Sequence, residues 1–244
     1  GAPTPVAALI ATGSKAAALA ALLRVLDAMR PLQPDWVALL WLLAALTMTV
    51  GNVVALVQGN VKRLLAYSSV AHGGYMLVAL TAGLAPGSPA VLYYLLVYGV
   101  ASVGAFGVIL LLERDGQEAV EVDGYRGLAA RHPGLALVLT VCLLSLIGMP
   151  PTAGFMGKLY LFSAAIREGF VGLAVIAVLN SVVAAYYYLR LIVAMYMQDA
   201  EGSPVTGVLT PAAGLALAVS VWLTVHLGIA PGAVLALAQR AIGP

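Results

Sequence analysis

Seven stretches of roughly 20 apolar residues, separated by polar turns, limit what this chain can fold into. Twenty such residues in a helix match the hydrocarbon thickness of a bilayer, and helical runs satisfy every backbone group internally. A membrane β-barrel would alternate apolar and polar residues, whereas here whole runs are apolar on every face. Hydrophobic residues make up 62% and charged residues 9% of the 244. Soluble domains carry about 25% charged residues, so a soluble fold is excluded. The spacing predicts helices over 5–26, 36–57, 63–83, 89–112, 134–166, 170–197 and 208–228, with a short tail interrupted at Pro231-Gly232. The expectation is therefore an all-α membrane protein, one domain over 1–244, embedded in a lipid bilayer.

The fifth stretch is unlike the others. Ser145-Leu-Ile-Gly-Met-Pro-Pro-Thr-Ala-Gly-Phe-Met-Gly-Lys158 places Pro150, Pro151, Gly154 and Gly157 where a membrane helix should be continuous. Proline has no N–H to donate and clashes with the carbonyl one turn back, so the helix must break. A true loop at this point would leave only about a dozen apolar residues before Arg167 and Glu168, too few to cross alone. One interrupted span is the better reading. Irregular backbone and a lysine at membrane depth are tolerated where they are buried in protein or line a wet cavity, and in transporters they mark ion pathways.

Charge placement adds to this. The ten carboxylates all lie in turns or at helix ends, and eight charged residues cluster in one polar stretch, Glu113 to His132, read as a solvated loop with a short surface helix. Of three lysines, Lys62 sits beside Arg63 at an interface, while Lys15 and Lys158 lie inside apolar runs. The neighbours of Lys15 are small (Gly13, Ser14, Ala16, Ala17, Ala18), which suits close packing against protein. Two readings of each lysine are open: a structural ammonium bonded to backbone carbonyls, or a group that takes up and releases a proton. On the third helix Ser68, His72 and Tyr75 stand at i, i+4 and i+7 and share one face. They form either a hydroxyl–imidazole–phenol wire around a histidine that titrates near neutral pH, or a satisfied buried histidine pinning two helices. Asn52, Thr47, Thr49, Asn180 and Ser181 read chiefly as interhelical hydrogen-bond glue. Tyr186-Tyr187-Tyr188 points in three directions and reads as belt and packing.

Other chemistries leave no trace. There is no glycine-rich nucleotide fingerprint, P-loop, HExxH or CxxC. The lone Cys142 gives no intrachain disulfide or cysteine-based metal site, and no histidine pair at helical spacing could ligate haem. The net charge of +2 shows no basic cluster for nucleic acid. With seven spans the ends fall on opposite sides. If Gly1 lies on side X, the X turns carry Lys62, Arg63, Arg114, Arg126 and Arg131, and the Y turns carry Arg24, Arg30, Arg167 and Arg240. Five against four places X in the cytoplasm by the positive-inside rule. The opening Gly-Ala-Pro-Thr-Pro reads as the middle of a loop, so the chain is expected to be a fragment, or half of a longer one.

Three motifs together carry a family resemblance: Gly51-Asn-Val-Val-Ala-Leu-Val-Gln58 with Val61-Lys-Arg-Leu-Leu-Ala-Tyr-Ser-Ser-Val-Ala-His-Gly-Gly-Tyr75; Pro150-Pro-Thr-Ala-Gly-Phe-Met-Gly-Lys158; and Ala2-Pro-Thr-Pro-Val6 with Gly13-Ser-Lys15. They resemble the antiporter-like membrane subunits of respiratory complex I, the proton-translocating NADH–quinone oxidoreductase. The N-type is favoured, because the similar M-type has a glutamate where this chain has Lys158. The resemblance implies fourteen helices in two inverted repeats, of which this chain is the C-terminal half: helices eight to fourteen, with the second repeat over about 36–197. Lys15 then matches the connecting lysine of helix eight, and Lys158 the lysine of the broken twelfth helix. It also implies a multi-pass protein of the bacterial cytoplasmic (inner) membrane. The implied partners are the other membrane-arm subunits, with no nucleic acid. FMN, iron–sulfur clusters and quinone are held elsewhere in the complex. The rival expectations are a subunit of a multisubunit sodium/proton antiporter, which shares the broken helix and lysine, and a purely structural subunit of the arm.

Overall fold

The computed structural model describes residues 3–114, 117–199, 206–207 and 210–241. Parts of the expected polar link at 198–206, Ala2 of the first motif and Asp115 lie outside these residues. The chain enters through α1 (Thr4–Leu9), a π-helical turn (Ile10–Ser14) and α2 (Lys15–Ala28). Then come α3 (Gln33–Leu56), α4 (Val61–Thr81), α5 (Leu84–Leu111), the short α6 (Leu128–Arg131), α7 (Pro133–Ile147), α8 (Ala153–Arg167), α9 (Val171–Met197), α10 (Pro211–Ile229) and α11 (Gly232–Arg240). Among the described residues, six segments are long and apolar enough to cross a membrane: Thr4–Ala28, Arg30–Leu56, Val61–Thr81, Leu84–Leu111, Val171–Met197 and Pro211–Ile229. The pair α7–α8, each of 15 residues, takes the place of the interrupted fifth stretch.

The helix ends follow local chemistry. Asn60 caps α4, its side-chain oxygen accepting from the Arg63 N–H at 3.1 Å, and Thr210 caps α10 through the Ala213 N–H at 3.3 Å. Between α4 and α5 only Ala82 and Gly83 lie outside the helices, Gly83 at φ +96°. The helix resumes at Leu84 because proline in a first turn removes no bond that the helix could make. Beyond Pro231-Gly232 the tail re-forms as α11.

α4 lies at the centre, its residues buried on most faces, with α3, α5, α8 and α9 around it. α3 and α4 touch backbone to backbone: a methyl on Gly51 would lie 2.7 Å from the Ala71 nitrogen, and one on Gly74 2.6 Å from the Met48 nitrogen. On the far side of α3, Leu39, Leu42, Leu43, Leu46, Val50 and Val53 are exposed at helical spacing. α9 presents Val175, Val178, Leu179 and Val182 in the same way, as lipid-facing surfaces require.

The polar stretch from Glu113 is more ordered than a solvated loop. Leu112–Arg114 (β1) pairs antiparallel with Gln117–Glu118 (β2) and with Thr206–Gly207 (β3). Tyr125 and Leu128 are buried beneath it. Glu118 explains part of the order: its carboxylate accepts from the Thr4 hydroxyl and from Lys62 Nζ, both at 2.7 Å, tying α1, α4 and β2 together. Partial burial pushes this carboxyl up, but the Lys62 and Thr4 hydrogen bonds outweigh it and hold it below the usual carboxylate range.

Candidate proton-relay site

The site is built around the helix break. α7 ends at Gly148, whose φ of +90° is the left-handed cap that favours glycine. The Gly148 N–H donates to the Leu144 and Ser145 carbonyls, and the Met149 N–H to Leu144, all at 3.0 Å. Pro150 and Pro151 come next, and α8 starts at Ala153. In a continuous helix the Leu146 and Ile147 carbonyls would each accept from the N–H four residues ahead. Those residues are the two prolines, so both carbonyls lose their partners. Lys158 Nζ claims the Ile147 carbonyl at 2.8 Å and reaches Ser181 Oγ of α9 at 3.2 Å. The ammonium also sits 4.7 Å from the Tyr75 ring centroid, and Lys158 is only 5% exposed.

The glycines of the break allow α8 to press closely on α7 and α5. A methyl on Gly154 would sit 1.7 Å from the Ser145 carbonyl oxygen, and one on Gly157 2.4 Å from a ring carbon of Tyr94. The Gly154 N–H donates to Ser145 Oγ at 3.1 Å, satisfying one of the first donors of α8.

Lys15 begins α2 directly after the π-helical turn, where the sequence predicts a uniform helix. Such turns often accompany functional positions, since the extra residue rotates the rest of the helix about its axis. Lys15 Nζ donates to the Ser69 carbonyl and to Ser69 Oγ (2.6 Å), and lies 4.3 Å from the Tyr98 ring centroid.

His72 lies between the lysines, 1% exposed and within electrostatic reach of both. Its Nδ1 pairs with the Tyr94 hydroxyl at 2.7 Å and its Nε2 with the Tyr188 hydroxyl at 3.4 Å. Tyr98 packs against its ring at 5.0 Å and stands beside Ser69, joining the Lys15 end to the histidine. Ser68 pairs with Tyr188 Oη. The Ser68–His72–Tyr75 row is therefore not a wire along one helix. Tyr75 meets His72 edge-on at 5.6 Å, and its hydroxyl is taken by Asn52 Nδ2 at 3.0 Å. The connections run across helices, through tyrosines of α5 and α9.

Tyr187 and Tyr188 correct the belt reading of the tyrosine triplet. Both are fully buried, Tyr188 at His72 and Tyr187 donating to Asn52 Oδ1 at 3.0 Å, and only Tyr186 faces outward. Asn52, Asn180 and Thr49 form interhelical bonds as expected, within this same cluster. Tyr94 and Tyr98 carried a partial signal, as polar groups one turn apart in an apolar run. Among the described residues no carboxylate pairs with Lys15, His72 or Lys158; the ion pairs found there are Arg30–Asp27, Lys62–Glu118 and Arg126–Asp123. No group of three His, Cys, Asp or Glu that could hold a metal occurs among them.

Comparison with known proteins places this arrangement. A subunit N of NADH-quinone oxidoreductase from Trichlorobacter lovleyi is 49% identical over 243 residues, covering 99% of this chain and 50% of its own length. A chain of respiratory complex I from Thermus thermophilus superposes with a TM-score of 0.83 at 41% identity, covering 97% of this chain and 52% of that one. A chain of an archaeal membrane-bound sulfane sulfur reductase superposes with a TM-score of 0.85 at 27% identity, covering 99% and 49%. The chain thus spans about half the length of the curated relatives it matches. Residues 1–184 match the transmembrane family shared by NADH:quinone oxidoreductase and the Mrp antiporter, and the chain belongs to that family.

Proposed function

We propose that this chain is part of a proton-translocating membrane subunit of NADH-quinone oxidoreductase. Protons move along an axis of Lys15, Ser69 and Tyr98, then His72 with Tyr94 and Tyr188, then Tyr75 and Lys158. Ser68 holds Tyr188 for this axis, and the break at Pro150, Pro151, Gly154 and Gly157 shapes the Lys158 end. The observation that carries the reading is His72, buried between two lysines and hydrogen-bonded by tyrosines of two other helices. Each group can hold or release a proton. A change of charge at one alters the proton affinity of the next through a medium that screens weakly.

On this reading the chain transfers no electrons. FMN, iron–sulfur clusters and quinone belong to other parts of the complex, whose membrane-arm subunits are its partners in the bacterial cytoplasmic membrane. The pair α7–α8 counts as a seventh, interrupted span. The helices are eight to fourteen of a fourteen-helix subunit, with one inverted repeat over about 36–197. In the intact complex, Lys158→Ala is expected to assemble and to lose proton pumping per NADH oxidised. Full pumping with normal assembly would remove Lys158 from the path.

The second reading, a subunit of a sodium/proton antiporter, is favoured by the family description, which names both systems. Copurification of the tagged full-length protein with NADH-oxidising, iron–sulfur subunits supports the first reading. Its copurification with other antiporter subunits alone supports the second.

A further inference from the structure

Asn52 is fully buried on α3 and hydrogen-bonds neither lysine nor His72, yet its one carboxamide joins α3 to α4 and α9. Its NH₂ has two protons for three acceptors, Tyr75 Oη (3.0 Å), Asn180 Oδ1 (3.0 Å) and the Asn180 carbonyl (3.2 Å), with the two Asn180 oxygens sharing one N–H, and its Oδ1 accepts from Tyr187 Oη (3.0 Å). The orientation of this amide is settled by chemistry. The Asn180 carbonyl can only accept, so the Asn52 NH₂ must face it. Asn180 is fixed in turn, because its own NH₂ donates to the Ile176 carbonyl at 3.0 Å and to Thr49 Oγ1 at 3.2 Å.

One consequence falls on Tyr75. One lone pair of its phenol oxygen is committed to Asn52, and the Ser181 side chain is a further hydrogen-bonding neighbour of that oxygen. Ser181 Oγ accepts from Lys158, and the Tyr75 ring itself lies against the Lys158 ammonium. Tyr75 thus meets the lysine through its ring and through Ser181, and Asn52 holds the hydroxyl end of that ring.

We propose that Asn52 is a positioning residue: by gripping Tyr75 it sets the geometry in which Lys158 gains and loses its proton. The inference rests on Lys158 exchanging protons, as proposed above. It makes the polar cluster beside the broken helix a tuning element, distinct from interhelical glue.

The test uses the intact, assembled complex in membrane vesicles, reading proton pumping per NADH oxidised as a function of pH. Tyr75→Phe removes only the oxygen that Asn52 holds, and Asn52→Leu removes the grip. Each is expected to displace the pH profile by about half to one unit, the size of one net hydrogen bond. The double variant is expected to show no more than either single change, because both delete one link. If Asn52→Leu fails to assemble, Tyr75→Phe alone decides. A wild-type profile for Tyr75→Phe, or displacements that add in the double variant, would overturn the proposal. Lys158→Ala separates the two levels. If it pumps fully, the relay reading fails and this inference with it. If it is inactive while Tyr75→Phe and Asn52→Leu behave as wild type, this inference fails and the Tyr75 hydroxyl leaves the axis, while the role of Lys158 stands.

Discussion

The Ile147 carbonyl accepts from Lys158 at 2.8 Å because Pro151, four residues after Ile147, has no N–H to offer it. The proline that breaks the helix thereby creates the site that seats the lysine. The same logic recurs nearby. The Leu227 carbonyl would pair with residue 231, which is Pro231, and the Tyr93 hydroxyl takes it at 2.7 Å. This bond holds the turn between α10 and α11 against α5. There, a methyl on Gly228 would lie 2.0 Å from the Pro151 carbonyl oxygen, so the turn rests on the broken helix.

Tyr93→Phe leaves the Leu227 carbonyl without its donor in a buried setting. We expect a loss of about 1–3 kcal/mol in stability, read as a lower melting temperature of the purified protein in detergent. An unchanged melt would show that the turn needs no such bond.

Gly154→Ala should be worse tolerated than any other single methyl in α8, since the methyl would sit 1.7 Å from the Ser145 carbonyl oxygen. Overpacking of this kind costs about 1–3 kcal/mol or more. Gly73→Ala, with nothing within 4 Å of the added methyl, is the matched control and should stay within about 0.5 kcal/mol. Equal melting of the two variants would contradict the backbone contact.

Lys15→Met keeps the length of the side chain and removes its charge. The ammonium bonds to Ser69 and rests on Tyr98, so under the proposed function assembly should survive while pumping per NADH falls. Normal pumping would return Lys15 to a structural role.

His72→Gln keeps hydrogen-bonding capacity towards Tyr94 and Tyr188 but cannot carry a proton between them. Assembled complex with reduced pumping is the expected result. Retained pumping would assign the histidine to packing.

Glu118 gives a pH dependence outside the membrane. Its folded pKa lies below the unfolded one, so its stabilising contribution is present above the ordinary carboxylate range and disappears as pH falls through the folded value. Wild type and Glu118→Gln should therefore differ in melting temperature at neutral pH and converge in acid. The side chain is 31% exposed, so the difference should also shrink with added salt. Parallel curves at all pH values would exclude the Lys62–Glu118 and Thr4–Glu118 bonds as its source.

Legibility depends on the range of the interaction. Lys15, Lys158 and His72 stand out because a charged or titratable group in an apolar run is costly and rare. The break stands out because proline acts on its own backbone. Tyr188 does not stand out, since its partners Ser68 and His72 are more than a hundred residues away and no local pattern distinguishes it from Tyr186. The polar stretch after Leu112 misleads for a similar reason: its composition is that of a loop, and pairing with distant Thr4, Lys62 and Thr206 orders it. The π-helical turn before Lys15 leaves no signature in a run of small residues.

Hydropathy, proline chemistry and charge burial act through each residue and its near neighbours. A helical membrane protein, the position of its broken helix and the titratable groups within it are therefore readable from the chain alone. The joining of those groups by tyrosines and asparagines of α3, α5 and α9 emerges only in the folded bundle. Hydrogen bonds between helices depend on how the helices rotate and approach, and that is set by packing across the whole bundle.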